Sequence, residues 1–328
     1  MKIAIVGAGI VGSTAAYYLS KEKEVEVTVF DHGLGQATKA AAGIISPWFS
    51  KRRNKAWYRM ARLGADFYQE LVSDLENDGY ETSFYDQSGV ALLKKDDSKL
   101  DGLYQHAETR LEESPIIGEL SLKNADDLPE FTGFDRYLYA SGGARVEGAE
   151  LTATLIKASG FAKVESQVTL SSLDNGTYEI NGQTFDKVIL ACGAWLGQTL
   201  EPLGFEVDVR PQKGQLRDYF FEGLDTGKLP VLMPEGELDI IPFAGGKISV
   251  GASHENDKGF DLTVDEDVLE GLEEEAKTYF PALSTAKSFS ERVGTRAYTS
   301  DFSPFFGEVP ELGNIFVASG LGSSGLTT

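Results

Sequence analysis

Three closely spaced glycines near the start of the chain constrain its fold more than any other feature. Gly7, Gly9 and Gly12 form the pattern G-x-G-x-x-G between an apolar run at residues 3–6 and a stretch with helical periodicity. The apolar run is typical of a buried parallel strand. In such a unit the first glycine permits a tight turn, the second lets a pyrophosphate approach the backbone, and the third lets helix and strand pack closely. The N–H groups at the helix start then bind the phosphates. The sequence therefore predicts a dinucleotide-binding unit.

An acidic residue follows at the position where this kind of unit binds a ribose. Valines at 25, 27 and 29 predict a second strand, and Asp31 ends it 19 residues after Gly12. A carboxylate there can accept a hydrogen bond from a ribose hydroxyl, and it disfavours NADP, whose 2′-phosphate needs an arginine. A carboxylate at this position is compatible with either NAD or FAD as the bound dinucleotide. The alternative for Asp31 is a solvated charge at the end of a strand.

The segment 37–48, ATKAAAGIISPW, is rich in side chains that are too small to build a core. Thr38 can bond a phosphate, and Ala41, Ala42 and Gly43 let a flat ring system lie close against the backbone. A flavin dinucleotide needs such a close-fitting surface, whereas an NAD-dependent dehydrogenase usually proceeds to further strand–helix units. The segment therefore favours FAD, with an NAD-dependent dehydrogenase on the same core as the alternative.

The C-terminal segment VGTRAYTSDFSPFFGEVPELGNIFVASGLGSSGLTT contains G-x-R, then an Asp and a Pro, then G-x-x-P, a strand and a glycine-rich turn. Together with T-x-A-A-A-G after the ribose-binding acid, it resembles the FAD-dependent amino-acid oxidases and dehydrogenases, which include D-amino-acid oxidase, sarcosine oxidase and especially glycine oxidase. The resemblance covers nearly the whole chain. It implies an α/β fold, with a Rossmann-type FAD-binding domain and a mixed-sheet α+β substrate domain as in glycine oxidase-like members. Family members continue into a last helix beyond Thr328, so we expect a C-terminal truncation.

The resemblance also implies which residues bind FAD, which we expect to be held non-covalently. They come from the N-terminal unit, the small-residue segment, the turn after a buried strand at 188–191, and the closing turn. N–H groups of the closing turn would stabilise the N1–C2=O edge of the flavin. Cys192 is interpreted as a small buried side chain rather than a covalent flavin link. The predicted cofactor-binding residues are Gly7, Gly9, Ile10, Val11, Gly12, Asp31, His32, Ala37, Thr38, Ala41, Ala42, Gly43, Ile44, Val168, Cys192, Gly193, Trp195, Leu321, Gly322, Ser323, Ser324, Gly325 and Leu326.

Arg296 is the predicted catalytic residue. By the resemblance it pairs with the carboxylate of an amino or imino acid, because a guanidinium can hold a carboxylate through two parallel hydrogen bonds. The substrate could then pass a hydride to flavin N5. The expected reaction is oxidation of the C–N bond of a small amino acid or N-substituted glycine, with oxygen or another compound accepting the electrons. A structural ion pair is the alternative role for Arg296.

The sequence departs from the resemblance at three places. Glycine oxidases carry a tyrosine in the strand where this chain has LDIIP, which includes Asp239, and an arginine in the final turn near Ser323. Sarcosine oxidases carry a lysine in the hairpin, and none is in register near Ser249. These departures leave the substrate open. They also keep open an FAD-binding subunit without amine oxidase activity of its own.

The remaining patterns divide the chain into two domains. We predict an FAD-binding domain formed by residues 1–82, 141–212 and 291–328, and a substrate domain formed by residues 83–140 and 213–290.

Local patterns predict several elements within these domains. Apolar residues at helical spacing predict a helix over about 54–77, and an acidic helix is predicted around 97–113. An Asp-Asn-Gly turn is predicted at 174–176. The spacing of Thr263 and Glu266 predicts a capping box at the start of a helix.

Charge and composition limit the partners. The 328 residues carry a net charge of -21, which opposes binding to nucleic acid. The single cysteine fits a reducing compartment, which we expect to be the cytoplasm, and no apolar run reaches the roughly 18 residues of a membrane span. The spacing of histidine, cysteine and carboxylate residues indicates no metal site. The expected partners are a small amino or imino acid and an electron acceptor, and a homo-oligomer is left open.

Overall fold

The computed structural model describes residues 1–173 and 176–328, with the backbone alone at position 97. The turn predicted at 174–176 includes two positions that lie outside the described residues. Within the described part, two large β-sheets and two small ones are covered by helices. The strands, in chain order, are β1 (Lys2–Val6), β2 (Glu26–Phe30), β3 (Ile44–Ile45), β4 (Tyr85–Asp86), β5 (Val90–Leu92), β6 (Leu120–Asn124), β7 (Arg136–Ala140), β8 (Ala144–Val146), β9 (Ala162–Val164), β10 (Leu170–Ser172), β11 (Tyr178–Ile180), β12 (Gln183–Phe185), β13 (Lys187–Leu190), β14 (Arg210–Phe220), β15 (Val231–Met233), β16 (Asp239–Phe243), β17 (Lys247–Gly251), β18 (Ser288–Tyr298), β19 (Phe305–Glu308) and β20 (Ile315–Ser319). The α-helices, in chain order, are α1 (Ile10–Leu19), α2 (Ala37–Ala40), α3 (Lys55–Asn77), α4 (Asp97–Glu108), α5 (Gly148–Ser159), α6 (Leu196–Leu200) and α7 (Glu266–Tyr279).

The first strand lies inside a six-stranded sheet with the order β19-β20-β13-β1-β2-β9. Strand β1 pairs in parallel with both β2 and β13, and Ile5 lies opposite Val29 and Ile189. Apolar residues fill β1 because both faces of a parallel sheet are covered. Helix α1 begins shortly after β1, as the glycine pattern predicts.

The second large sheet has eight strands in the order β18-β14-β17-β16-β15-β5-β7-β6. It is mixed, because β15 and β5 run parallel while their neighbours pair antiparallel. Strands β14 and β18 pair along their full length, and this register places Arg296 opposite Gln212. The longest pairing of the sheet therefore fixes the position of the predicted catalytic residue.

The same two strands bear on the predicted domain division. Strand β14 passes through the boundary predicted at 212–213, and β18 passes through the boundary predicted at 290–291. The six-stranded sheet contains strands from the predicted FAD-binding segments alone. The exact division into domains stays a prediction.

Helix α3 closely follows the predicted 54–77. The side chain of Asn54 accepts a hydrogen bond from the N–H of Trp57 over 3.0 Å and so caps the helix. Its buried stripe includes Ala61, Ala65 and Tyr68. Although α3 has 23 residues, the described part of the chain contains no helix that is long and apolar enough to cross a membrane.

Two local predictions differ from the structure. Helix α4 ends at Glu108 rather than near 113, and the hydroxyl of Thr109 donates to the carbonyl oxygen of His106 over 2.7 Å. Such side-chain bonds compete with helix continuation. The capping box is wrong, because Thr263 donates to the carboxylate of Asp261 and Glu266 accepts from the guanidinium of Arg217 over 2.6 Å. Arg217 is buried, so that pairing its charge outweighs a local cap.

Candidate active site

A large cavity of about 1040 Å³ is lined by residues of both large sheets. Strands β1, β2, β13 and β20 all end at it, and Val6, Phe30, Ala191 and Ser319 lie in its wall. Ligands of parallel α/β sheets bind at the carboxyl ends of the strands. The volume is at the top of the range of small-molecule sites, roughly 300–1,000 Å³, so the cavity can hold a large cofactor and a small substrate together.

The first turn of α1 forms one part of the wall. Gly7 has a φ of +100°, and a Cβ there would lie 2.3 Å from the carbonyl oxygen of Ala191. A glycine is therefore required both by the backbone conformation and by the neighbouring strand. Gly12 does not line the cavity, because it packs against Gly7, whose carbonyl oxygen would lie 1.9 Å from an added Cβ. This close contact is the packing role expected of the third glycine.

Thr38 connects the small-residue segment to this turn. Its Oγ1 accepts a hydrogen bond from the N–H of Ile10 over 3.0 Å, and the side chain is buried. One of the unpaired N–H groups at the start of α1 is thereby satisfied by the protein. Among the described residues, the N–H of Val11 has no protein acceptor and remains available to a phosphate.

Asp31 is held in a fixed position at the end of β2. Its Oδ2 accepts the N–H of Ala8 over 3.1 Å, and its Oδ1 accepts the N–H of Gly33 over 2.8 Å. The side-chain amide of Gln36 also donates to Oδ2. The carboxylate is buried in the protein and lines the cavity, so it differs from a solvated charge at a strand end.

Some small residues of segment 37–48 pack against other parts of the protein, and others face the cavity. A Cβ on Gly43, where φ is +80°, would lie 2.0 Å from the carbonyl oxygen of Val146, and the Cβ of Ala40 lies 2.7 Å from the Cβ position of Gly294. Protein backbone therefore explains part of the small size. Ala41 and Ala42 line the cavity and are small on the side where a cofactor can lie.

The closing turn is anchored to α3. The Nε1–H of Trp57 donates to the hydroxyl of Ser324 over 3.0 Å, and the hydroxyl of Tyr68 donates to the carbonyl oxygen of Leu326 over 2.7 Å. At Gly64 an added Cβ would lie 2.1 Å from the carbonyl oxygen of Thr327. These contacts fix the residues 321–326 against the cavity wall.

Arg296 extends into the other part of the cavity from β18. Its Nη1 donates to the carbonyl oxygen of Ser253 over 2.8 Å and to Oε1 of Gln212 over 3.3 Å. Among the described residues no carboxylate oxygen lies within 4.0 Å of its guanidinium. Burial lowers the pKa of Arg296 to about 10, so it stays charged at neutral pH. A charged guanidinium without an acidic partner is suited to an anionic ligand.

Arg292 lies four residues earlier on the same strand and has the opposite role. It donates to the carboxylate of Asp218 over 2.8 Å and to the carbonyl oxygens of Lys39 and Ala41 over 3.2 and 3.1 Å. It also forms an ion pair with Glu147. Arg292 is thus a structural cation that joins the small-residue segment to the eight-stranded sheet.

Two further titratable side chains line the cavity near Arg296. Partial burial, together with the charges of Arg296 and Arg52, lowers the pKa of His254 to about 4. Burial raises the pKa of Asp239 to about 8. Both side chains are therefore largely uncharged at pH 7 and do not neutralise the guanidinium.

Comparison with known proteins shows the family of the chain. Residues 2–328 match the family model described as FAD dependent oxidoreductase, DAO. The chain belongs to this family. An uncharacterised oxidoreductase of Bacillus subtilis (strain 168), YurR, is 38% identical over 98% of this chain and 90% of its own length. The glycine oxidase of Pseudomonas aeruginosa is 29% identical over 99% of this chain and 90% of its own length.

A solved structure shares the fold of this FAD-dependent oxidoreductase. The iminodiacetate oxidase from Chelativorans sp. BNC1 superposes with a TM-score of 0.93 at 30% identity, covering 99% of this chain and 91% of that chain. The predicted fold class, an α/β protein with a Rossmann-type FAD-binding domain, is confirmed, as is the family resemblance. The cofactor is FAD, so the flavin prediction is confirmed and the nicotinamide alternative is wrong.

The cavity of the FAD-dependent oxidoreductase brings the predicted site residues together. With the exception of Gly12, all the predicted cofactor-binding residues line it, and so does Arg296. They fit a dinucleotide, because the wall offers a glycine turn, a free N–H at α1 and a fixed carboxylate at Asp31. Their individual roles stay predictions. Burial raises the pKa of Cys192 to about 11, so its thiol is not a nucleophile at neutral pH.

Sequence reasoning missed several residues of this site. Arg52, Trp57, Met233 and His254 line the cavity, and none of them was assigned a role from its pattern. One signal was present: Lys51, Arg52 and Arg53 form a run of three cations directly after the small-residue segment of a strongly acidic chain. The other three residues carry no local signal, because helix and strand packing alone brings them to the cavity.

Proposed function

We propose that the protein oxidises the C–N bond of a small amino acid or N-substituted glycine. The observation that carries the proposal is the guanidinium of Arg296, which is charged, lines the cavity and lacks an acidic partner among the described residues. The relatives support this substrate class, because they include proteins named glycine oxidase and iminodiacetate oxidase. Bound FAD would supply the chemistry by accepting a hydride at N5 from the carbon next to the amine nitrogen.

In this proposal Arg296 binds and orients the substrate carboxylate. Among the described residues, both of its hydrogen bonds use Nη1, so Nη2 and Nε are free to bind a ligand. Two parallel hydrogen bonds fix the direction of a carboxylate as well as adding affinity. The neutral form of the substrate amine then provides the electrons that form the imine, so no side-chain base is required.

Gly214 makes this position of Arg296 accessible. It lies on β14 beside β18, and a Cβ at Gly214 would lie 2.5 Å from Nη1 of Arg296. The guanidinium therefore lies flat over a residue without a side chain. Ser253 and Gln212 hold it from the sides, so the arginine is positioned before substrate enters.

The experiment is anaerobic flavin reduction by a substrate panel. We expect glycine, N-methylglycine, iminodiacetate and small D- and L-amino acids to include compounds that bleach the flavin. The matched amines that lack a carboxylate, such as methylamine and dimethylamine, should not. If carboxylated and uncarboxylated amines reduce the flavin equally, or none reduces it, the proposed function is wrong and an FAD-binding role without amine oxidation remains.

A further inference from the structure

A second arginine of the cavity, Arg52, is held close to the closing turn. Its guanidinium carbon lies 4.5 Å from the centroid of the Trp57 ring, and Trp57 donates to Ser324 of the closing turn. Its backbone N–H donates to the hydroxyl of Ser50 over 3.3 Å. The contact with the Trp57 ring orients an exposed side chain that lines the cavity.

The charge of Arg52 is not balanced by a neighbouring acid. Within the described part of the chain, no carboxylate oxygen lies within 4.0 Å of its guanidinium. Arg52 and Arg296 line the same cavity as His254, and the charges of both act on that histidine. The described cavity thus contains two oriented guanidinium groups, neither of which has a carboxylate oxygen within 4.0 Å.

The other charged side chains of the cavity are of both signs, and none of the described carboxylates contacts either guanidinium. Lys94 lines the cavity and adds a positive charge, and Lys99 forms an ion pair with Glu235 over 3.3 Å. Glu237 lies 3.7 Å from His254, and the charges of Glu237 and Glu255 act on Arg296 from beyond 4.0 Å. Five lysine and arginine residues line the described cavity against four aspartate and glutamate residues, of which Asp239 is largely protonated at pH 7, and this positive excess suits a ligand with more than one negative charge.

We propose that Arg52 forms a second carboxylate subsite, and that the substrate is an amine with two carboxylate groups. This inference rests on the proposed function, since it assigns the first carboxylate to Arg296. The shared chemistry of the ligand is one amine between two anionic groups. The two carboxylates can be carried on both sides of the nitrogen, as in iminodiacetate, or on one carbon chain, as in aspartate.

The experiment compares probes that differ by one carboxylate. Iminodiacetate and N-methylglycine share a secondary amine, and aspartate and alanine share a primary amine. Diglycolate and methoxyacetate repeat the first comparison without an oxidisable nitrogen, so their binding can be measured from the flavin spectrum independently of turnover. The variants are Arg52→Met, Arg52→Lys and, as a matched control from the same exposed run, Arg53→Met, which does not line the cavity.

We expect wild type to bind the dicarboxylate of at least one pair more tightly than its monocarboxylate partner. Arg52→Met should weaken dicarboxylate binding about 10- to 100-fold, the range of one charge-assisted pair, and leave monocarboxylate binding within about 2-fold. Arg52→Lys should restore part of the affinity, and Arg53→Met should change neither probe. The pair that shows the preference distinguishes the two carbon skeletons.

Other results separate this inference from the proposed function. If N-methylglycine or alanine reduces the flavin and Arg52→Met alters both members of each pair equally, the second subsite is wrong and the proposed function stands. If Arg52→Met releases FAD, Arg52 belongs to the cofactor and the inference fails. If diglycolate binding depends on Arg52 while no amine reduces the flavin, the carboxylate subsite at Arg52 stands, but the amine substrate and the proposed function both fail.

Discussion

The hydroxyl of Thr38 accepts the backbone N–H of Ile10 over 3.0 Å, and this bond joins the small-residue segment to the first turn of α1. Two segments that are 28 residues apart thus form one wall of the FAD cavity. The bond also decides which N–H groups at the helix start stay available. Ile10 is satisfied by the protein, whereas the N–H of Val11 can serve a phosphate.

Replacing Thr38 by Val should therefore weaken FAD retention. The variant leaves the N–H of Ile10 without its protein acceptor in a partly buried position, which costs about 1–3 kcal/mol at most. Thr38→Ser keeps the acceptor and should remain close to wild type. The measurement is the dissociation constant of FAD from flavin fluorescence, with the melting temperature of the apoprotein as a second readout. Equal FAD affinity in the Val and Ser variants would contradict this role.

Arg296→Met should leave the FAD spectrum intact and weaken the binding of a carboxylated substrate. A charge-assisted pair contributes about 1.5–3 kcal/mol, or roughly 10- to 100-fold in apparent affinity. Flavin reduction should slow further, because the substrate also loses its orientation. Arg296→Lys should recover part of the loss, since an ammonium cannot form two parallel bonds. Stopped-flow measurement of flavin reduction tests this prediction. If flavin in the Met variant is reduced as fast as in wild type, Arg296 does not bind the substrate carboxylate.

Gly214→Ala should have a similar but smaller effect without removing any charge. The added methyl group would lie 2.5 Å from Nη1 of Arg296, so the flexible guanidinium must move away. We expect unchanged FAD binding and a higher dissociation constant for carboxylated ligands. Gly271→Ala is the control, because nothing lies within 4 Å of a Cβ there. If both alanine variants bind ligand like wild type, Arg296 is not held against Gly214 in solution.

Asp239 should make stability depend on pH. Its pKa is raised from 3.8 to about 8, so between these values the folded state holds a proton that the unfolded state has lost. The free energy of unfolding must then fall as the pH rises toward 8. His254, whose pKa is lowered from 6.5 to about 4, acts in the opposite direction but only below 6.5.

The range from pH 6.5 to 8 therefore isolates Asp239 from His254. We expect the free energy of unfolding of wild type to fall relative to Asp239→Asn by up to about 1.4 kcal/mol per pH unit in that range. Denaturant unfolding of the two proteins at several pH values gives this difference directly. Parallel curves would mean that Asp239 has an ordinary pKa in the folded protein.

The sequence alone determined the elements whose causes are local. The apolar run before Gly7, the helical stripe after Asn54 and the acid at 31 each follow from backbone geometry and periodicity within a short window. For this reason the dinucleotide-binding unit and α3 could be predicted closely. The fold class and FAD also followed, because several such windows along the chain agreed with one family.

The tertiary structure decided what depends on partners distant in sequence. Arg292 and Arg296 are both arginines on strand β18. Their neighbours make Arg292 a structural cation and leave Arg296 without a carboxylate in contact among the described residues. Glu266 pairs with the buried Arg217 instead of forming the predicted cap, because an unpaired buried charge costs more than a lost cap. Arg52 joins the cavity through the ring of Trp57. Burial and charge balance are properties of the folded neighbourhood, and no local pattern contains them.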